Sequence, residues 1–322
     1  MSTATADGPD APAALQGPAS PRPPRRKVKQ DSTSLIGHRT ITPYLFSAPA
    51  IAMVSLILGY PVLYGLYQSL FRAESLGGDR TFVGVENYTD RFVDPEFHSA
   101  VERTAVFVGG CLLLGTFLSL LFAFALNRVV KRLRFLRAVT IAPYIVSSVA
   151  AAVMFRILFH RNFGQINVTL EFFGLEGQEW LGDPTRAMFA AIATQVWTDL
   201  PLSVIILLGA LQTIDPSFED AARVDGATAW QRARFLSMPL IMPQIAISTV
   251  WLSYGTMTSL GTVLALTGGG PLGATTTLPI YLYETAFERL RVNEALAVAT
   301  IILVLNAVLT LGYLRLARRY EV

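Results

Sequence analysis

Asp215-Pro216-Ser217-Phe218-Glu219-Asp220-Ala221-Ala222-Arg223-Val224-Asp225-Gly226, with Pro239 following, is an amphipathic stretch stranded between two long apolar runs. Asp215 reads as a helix N-cap, Pro216 as the first helical position and Gly226 as the stop, which predicts a short helix over 216–224. A second short helix is expected through Trp230 to Leu236, ending before Pro239, where the next apolar run begins. The first helix sets Glu219, Asp220 and Arg223 beside Phe218, Ala221, Ala222 and Val224, and the two alanines would let another backbone come close. A helix of this make-up is suited to being held in the cleft of a partner.

The flanking runs set the fold class. The chain is 52% hydrophobic and 15% charged, with a mean hydropathy of +0.46, a balance that excludes an ordinary soluble globule. Apolar runs at about 43–71, 104–127, 137–159, 187–212, 240–266 and 295–315 each approach or exceed the ~20 helical residues that cross ~30 Å of hydrocarbon. The expected fold is therefore an all-α membrane protein with six transmembrane helices, and an even span number puts both termini on one side. The first run is too long, and too far from the N-terminus, to read as a signal peptide, and it is expected to stay in the protein.

Most of the 26 Lys and Arg fall on one face of this arrangement. Arg22, Arg25, Arg26, Lys27, Lys29 and Arg39 lie in the N-terminal arm, and Arg128, Lys131, Arg132, Arg134 and Arg137 follow the second span. Arg223, Arg232 and Arg234 lie in the amphipathic loop, and Arg315, Arg318 and Arg319 in the tail. The positive-inside rule makes that face cytoplasmic. Residues 1–38, rich in Ala, Pro, Ser and charge, are expected to be a disordered basic cytoplasmic arm preceding a membrane domain over 39–322.

The loop at 213–239 resembles the "EAA loop" of bacterial ABC-importer permeases: Glu-Ala-Ala, three residues, Gly, nine residues, Ile, one residue, Leu-Pro. Asp220-Ala221-Ala222, Gly226, Leu236, Met238 and Pro239 fall on that spacing, with Asp for Glu, Leu for Ile and Met for Leu. Phe82-Val83-Gly84-Val85-Glu86-Asn87-Tyr88, Asp94-Pro95-Glu96-Phe97 and Leu266-Thr267-Gly268-Gly269-Gly270-Pro271 resemble stretches of the MalF-type carbohydrate permeases of that superfamily. The likeness covers roughly residues 40–320. It implies a multi-pass permease of the bacterial plasma membrane, with cytoplasmic termini, that carries a sugar, oligosaccharide or polyol derivative. It also implies a second permease subunit, a dimer of ATP-binding subunits that hold ATP and Mg, and an extracytoplasmic solute-binding protein. Glu219, Asp220, Ala221, Ala222, Arg223, Asp225, Gly226 and Pro239 would couple this chain to the ATPase. No cofactor is expected in the chain itself, and lipid but no nucleic acid is an expected partner.

No catalytic constellation is legible. His38, His98 and His160 have no paired spacing, Cys111 is the single cysteine, and neither a nucleophile elbow nor a His-Glu-x-x-His motif occurs, so no catalytic or metal site is expected. The Thr267–Pro279 segment lacks the Gly-Lys-Ser/Thr ending of a phosphate loop. It is read instead as an external cap, with Gly268, Gly269, Gly270 and Pro271 permitting tight backbone packing. The loop 72–103 is a polar, acidic-leaning outer surface suited to a docking protein.

A solute path is expected where polar groups interrupt the spans. Gln195, Trp197, Thr198 and Asp199 precede Pro201 in span four, and Ser253, Tyr254, Thr256, Thr258 and Ser259 lie in span five. A carboxylate at that depth costs several kcal/mol unless it meets a wet cavity or a partner. Trp197 and Gln195 have the chemistry of a carbohydrate site, an aromatic face for C–H surfaces and an amide for hydroxyls. The competing reading is an ion-coupled secondary transporter with Asp199 as the coupling site, which calls for paired broken helices in inverted halves.

The topology is open to test. A cysteine at Ser217 is expected to react with impermeant maleimide only from the cytoplasmic side, and one at Ala274 only from outside. Labelling of both from the same side would overturn the span count.

Overall fold

The computed structural model describes residues 42–73, 79–129 and 135–318; the arm expected over 1–38 lies outside them, as do residues 130–134 of the basic loop. α1 (Thr42–Val54), apolar throughout with Pro49 inside it, belongs to one compact unit, and the chain from Ser55 onward forms a second. That second unit opens with a π-helical turn, Ser55–Gly59, and α2 (Tyr60–Gln68). By length and apolarity Phe46–Gln68, Pro95–Asn127, Pro184–Gln212 and Val292–Arg315 are candidate spans, and two further pairs of helices qualify as bent ones.

The segment at 72–103, expected only as a polar outer loop, is folded. β1 (Phe71–Ala73) pairs antiparallel with β2 (Arg80–Phe82), Phe71 opposite Phe82, and α3 (Glu86–Val93) follows. Apart from this short hairpin the described elements are helical, in keeping with the all-α class expected. Asn87 explains why the hairpin and helix stay together. Fully buried, its amide donates to the carbonyls of Ser69 (2.7 Å) and Phe71 (2.8 Å), and its Oδ1 accepts from Arg72 Nε (3.3 Å). Gly84, at φ +60°, makes the turn into α3 that a side chain would resist.

Asp94 ends α3 in extended backbone and accepts the N–H of Glu96 (2.9 Å), so α4 (Pro95–Val129) starts well before the span expected at 104. Its 35 residues would measure ~50 Å at ~1.5 Å per residue, several turns more than the hydrocarbon needs. Those extra turns carry the motif Asp94-Pro95-Glu96-Phe97 into a polar network. Tyr281 Oη donates to Asp94 Oδ2 (2.6 Å), Arg91 Nη1 donates to Tyr281 Oη (2.6 Å), and Arg91 pairs with Glu294 (2.9 Å). Burial and the Asp94 hydrogen bond push the Tyr281 phenol up to about 12. Burial works against the Asp94 carboxylate too, yet bonds from Tyr281 and Glu96 and the charge of Arg91 hold it below the usual carboxylate range.

Two expected spans are not straight. Residues 137–159 resolve into α5 (Phe135–Ile145) and α6 (Ser148–Leu158), bent by 105° at Val146 and Ser147. α7 (Gln165–Phe172) lies in the connection to α8 (Pro184–Gln212), which Asp183 caps by accepting the N–H of Arg186 (2.9 Å). After the loop helix α9 (Pro216–Val224) come α10 (Ala229–Gln231), a π-helical segment Arg232–Ser237, and α11 (Met238–Leu240). α12 (Met242–Met257) leaves this run at 75°, so the chain turns at Ile241 and not before Pro239 as expected. Pro243 supplies the reason: it has no N–H to return to the carbonyl of residue 239, and its ring crowds that carbonyl.

The expected span 240–266 likewise breaks at Thr258–Leu260 into α12 and α13 (Gly261–Leu266). A Cβ on Gly261 would sit 3.1 Å from Val149 Cγ2, so this glycine lets α13 lie against the start of α6. The chain closes through α14 (Leu278–Tyr283), a π-helical turn Glu284–Glu288 and α15 (Val292–Arg318). Within this unit α8 is the axis: α4 runs along it, and α5, α6, α12 and α13 also pack on it. Small residues make that possible. Ala187, Ala190 and Ala191 of α8 are fully buried, and Gly115 of α4 fits where a Cβ would stand 3.3 Å from Leu252 and 3.8 Å from Val196.

Asn87→Ala removes three hydrogen bonds and leaves two buried carbonyls short of a donor. It is expected to cost about 2 kcal/mol or more, read as a lower thermal midpoint of the purified protein. An unchanged midpoint would show that the hairpin is not held by this side chain.

Candidate functional site

The loop between α8 and α12 is built to stand free. Asp215 caps α9 by accepting the N–H of Ser217 (2.8 Å), and the N–H and hydroxyl of Ser217 hold its carboxyl below the usual range. Pro216 occupies the first turn, where a missing N–H does no harm. At the far end Gly226 takes φ +76°, the Ala227 N–H returns to Ala222 O (2.9 Å) and the Gly226 N–H to Arg223 O (3.0 Å), a left-handed helix stop. Thr228 and Gln231 then form a reciprocal capping box that starts α10.

None of the α9 side chains is buried. Val224 is 88% exposed, Phe218 55%, Trp230 69% and Phe235 71%, in a segment whose neighbours on the chain are membrane spans. Arg223 reaches back to Glu219 (3.4 Å) and Asp220 (3.2 Å), which steadies the helix on its charged side. Glu219, Asp220, Ala221, Ala222, Arg223, Asp225 and Gly226 therefore share one helix and its stop. Pro239 lies apart from them, in the turn of α11 after the π-helical segment.

The polar residues of the spans separate into two groups. Gln195 Nε2 donates to Asp199 Oδ2 (2.7 Å), and Ser259 Oγ donates to Gln195 Oε1 (2.5 Å), a buried chain that ties α8 to the α12–α13 break. Asp199 is 8% exposed and faces α12, where a Cβ on Gly255 would stand 3.0 Å from its Oδ2. Gly255 carries no sequence signal of this role, since Ser259 lies beyond the end of α12 and the helical spacing does not connect the two. Trp197 instead packs edge-on to Phe155 of α6 (5.3 Å), and the Thr198 hydroxyl bonds back to Thr194 O (3.0 Å). Ser253 is buried, whereas Tyr254 is exposed. The structure thus gathers Gln195, Asp199 and Ser259, and leaves Trp197, Thr198 and Tyr254 outside that chain.

The glycine segment is a tight knot. Gly268, Gly269 and Gly273 have positive φ, and the Gly270–Pro271 bond is cis. Thr275 Oγ1 donates to Gly270 O (2.8 Å), Thr276 Oγ1 to Gly269 O (3.2 Å), and Thr267 and Thr275 share a hydroxyl contact (2.7 Å). The N–H groups of Gly268 and Gly270 return to the end of α13, and so are already engaged. Leu278 N–H donates to Thr104 Oγ1 (2.8 Å), fixing the start of α14 on α4.

Comparison with known proteins gives a consistent result. The model of the family described as "Binding-protein-dependent transport system inner membrane component" matches residues 115–322. A probable ABC transporter permease, y4oQ of Sinorhizobium fredii, is 32% identical over 268 residues, covering 83% of this chain and 86% of its own length. The trehalose/maltose transport system permease MalF of Thermococcus litoralis is 29% identical, with 85% and 93% covered. Among solved structures, a bacterial ABC transporter involved in import of the acidic polysaccharide alginate aligns with a TM-score of 0.73 at 24% identity, covering 87% of this chain and 96% of that one. A bacterial alginate ABC transporter in complex with alginate pentasaccharide-bound periplasmic protein aligns with a TM-score of 0.69 at 23% identity, covering 85% of this chain and 92% of that one. At such identity these structures speak for the fold.

Asp199→Leu would leave the Gln195 amide without its acceptor and press a branched side chain toward Gly255, whereas Asp199→Asn keeps an acceptor in place. The leucine variant is expected to lose about 1–3 kcal/mol, seen as a lower thermal midpoint in detergent, and the asparagine variant little. Equal midpoints for the two would refute a structural role for the Gln195 bond.

Proposed function

The chain belongs to the family of binding-protein-dependent transport system inner membrane components, and from that membership we propose a permease subunit of an ABC importer that carries a sugar, oligosaccharide or polyol derivative. The carbohydrate class rests on relatives whose names specify trehalose and maltose, and on the alginate transporter that shares the fold. A solute-binding protein on the outer face, in keeping with the periplasmic protein of the alginate complex, and a second permease beside this one complete the transporter. The membrane is the bacterial plasma membrane, and the distribution of Arg and Lys favours cytoplasmic termini.

One observation carries the mechanism: α9, capped at both ends and without a buried side chain, stands between two membrane helices and exposes Phe218 and Val224. A solvated loop has no use for apolar side chains so placed, whereas a cleft in an ATP-binding subunit does. ATP closes a pair of such subunits, α9 moves with the cleft that holds it, and the motion enters α8 and α12 at either end of the loop. α8 lies against α4, α5, α6, α12 and α13, so displacement at Gln212 is felt throughout the packed spans. ATP and Mg sit in the partner, and this chain performs no chemistry of its own. Gln195, Trp197, Thr198, Asp199, Ser253 and Tyr254 are the residues offered for the solute path, and the knot at Gly268–Pro271 for its outer cap. Family membership weighs against ion-coupled transport through Asp199, since importers of this type draw on ATP.

Gly226→Val is the decisive variant. No neighbour lies within 4 Å of a Cβ built at Gly226, so in this chain alone the penalty is the strained φ, about 1–3 kcal/mol. Any larger effect must come from the partner. In the assembled transporter, docking of loaded binding protein is expected to survive while its stimulation of ATP hydrolysis, and uptake, are lost. Full stimulated ATPase and uptake in this variant would refute α9 as the coupling element.

A further inference from the structure

Three serines hold hydroxyls that are buried and unpaired: Ser119 on α4, Ser203 on α8 and Ser248 on α12, each at most 1% exposed. Their register places them together. One contact layer is set by Gly115, against Leu252 and Val196; a second by Ala123, Leu207 and Ile245, which share a hydrophobic cluster. Ser119 lies four residues from both Gly115 and Ala123. Ser203 lies four from Leu207 and seven from Val196, and Ser248 four from Leu252 and three from Ile245. These are same-face intervals of a helix, so the three hydroxyls occupy the mutually facing sides of α4, α8 and α12 in the single layer between those contacts. Asp199 is one turn away on the same face of α8, toward Gly255.

Two more buried atoms without partners flank the layer on α12, Gln244 Oε1 and Trp251 Nε1, four residues before and three after Ser248. Other hydroxyls in these helices behave differently. Thr194, Thr198, Thr249 and Thr256 each donate to the carbonyl one turn back, at 2.6–3.0 Å. The three serines do not, and in hydrocarbon an unpaired hydroxyl is a penalty that helix packing alone does not remove.

We propose that Ser119, Ser203 and Ser248 form a binding site for ordered water at the α4–α8–α12 junction. Three hydroxyls from three helices supply the two to four partners that a buried water needs. The bound water also stands one turn below Asp199, where it solvates a carboxylate that the protein provides with a single side-chain donor, Gln195. Because water can exchange partners, α8 and α12 remain free to shift against each other without breaking a direct bond across this layer.

The sign of a stability change tests this. In the transporter purified with its partner subunits, the triple variant S119A/S203A/S248A is expected to unfold several degrees below wild type if the hydroxyls hold water. Removing hydroxyls from a dry layer relieves a penalty, so an unchanged or raised midpoint overturns the proposal. Radiolytic hydroxyl-radical labelling gives a second reading on wild-type protein and does not depend on the variant folding. Leu252 is 1% exposed and closed to bulk solvent, so its rapid modification requires water beside it. Labelling of Leu252 at the level of a fully buried leucine remote from the layer, such as Leu278 of α14, would overturn the site as surely as a raised midpoint.

Discussion

Close packing around α8 is the constraint on which the rest of the described fold depends. Lipid tails are as apolar as leucine, so transmembrane helices gain nothing by hiding apolar surface from one another and associate through shape and hydrogen bonds. α8 is suited to this because alanines line it at residues 187, 190, 191 and 210, and glycines face it from α4. Each neighbouring helix comes near enough for dispersion to accumulate, and five helices pack on α8.

The same largely apolar interior makes every polar side chain within it conspicuous. Asp199, Gln195 and Ser259 form a chain that joins α8 to the break between α12 and α13. The break and the carboxylate explain each other. A continuous α12 would hold its carbonyls and hydroxyls within the helix, and the interruption at Thr258–Leu260 is what turns Ser259 toward Gln195. Below this chain the contact turns apolar, with Leu252 and Val196 around Gly115, and Leu207 and Ile245 in one hydrophobic cluster, so Ser203 and Ser248 are buried between apolar layers.

The end of the spans that carries the hairpin and α3 is organised by different physics. Arg91, Asp94, Tyr281 and Glu294 come from α3, the α3–α4 junction, α14 and α15, and their bonds knit parts of the chain almost two hundred residues apart. Asn87 does for the hairpin what the arginine does for the helices. The motif stretches at 82–88 and 94–97 are thus structural clamps that give this end of the protein a fixed shape.

Much of this was legible in the residues. Apolar run lengths predicted six crossings, and four straight candidate spans with two bent pairs match that number. Asp215, Pro216 and Gly226 placed α9 to the residue, because caps and φ constraints act within a few positions of chain and need no tertiary partner. Hydropathy carries no direction, however, and the bends at Val146–Ser147, Ile241 and Thr258–Leu260 went unseen although prolines and glycines stand beside them. The pairing of Asp199 with Gln195 is four residues apart on one helix and could be guessed. That Gly255 and Ser259 face it, that Trp197 turns instead to Phe155, and that Ser119, Ser203 and Ser248 share a layer were decided only when three helices packed. Local sequence determines which conformations the backbone accepts, but the rotation and depth of one helix against another are settled by the fit of side chains distant in the chain, and that fit exists only in the folded protein.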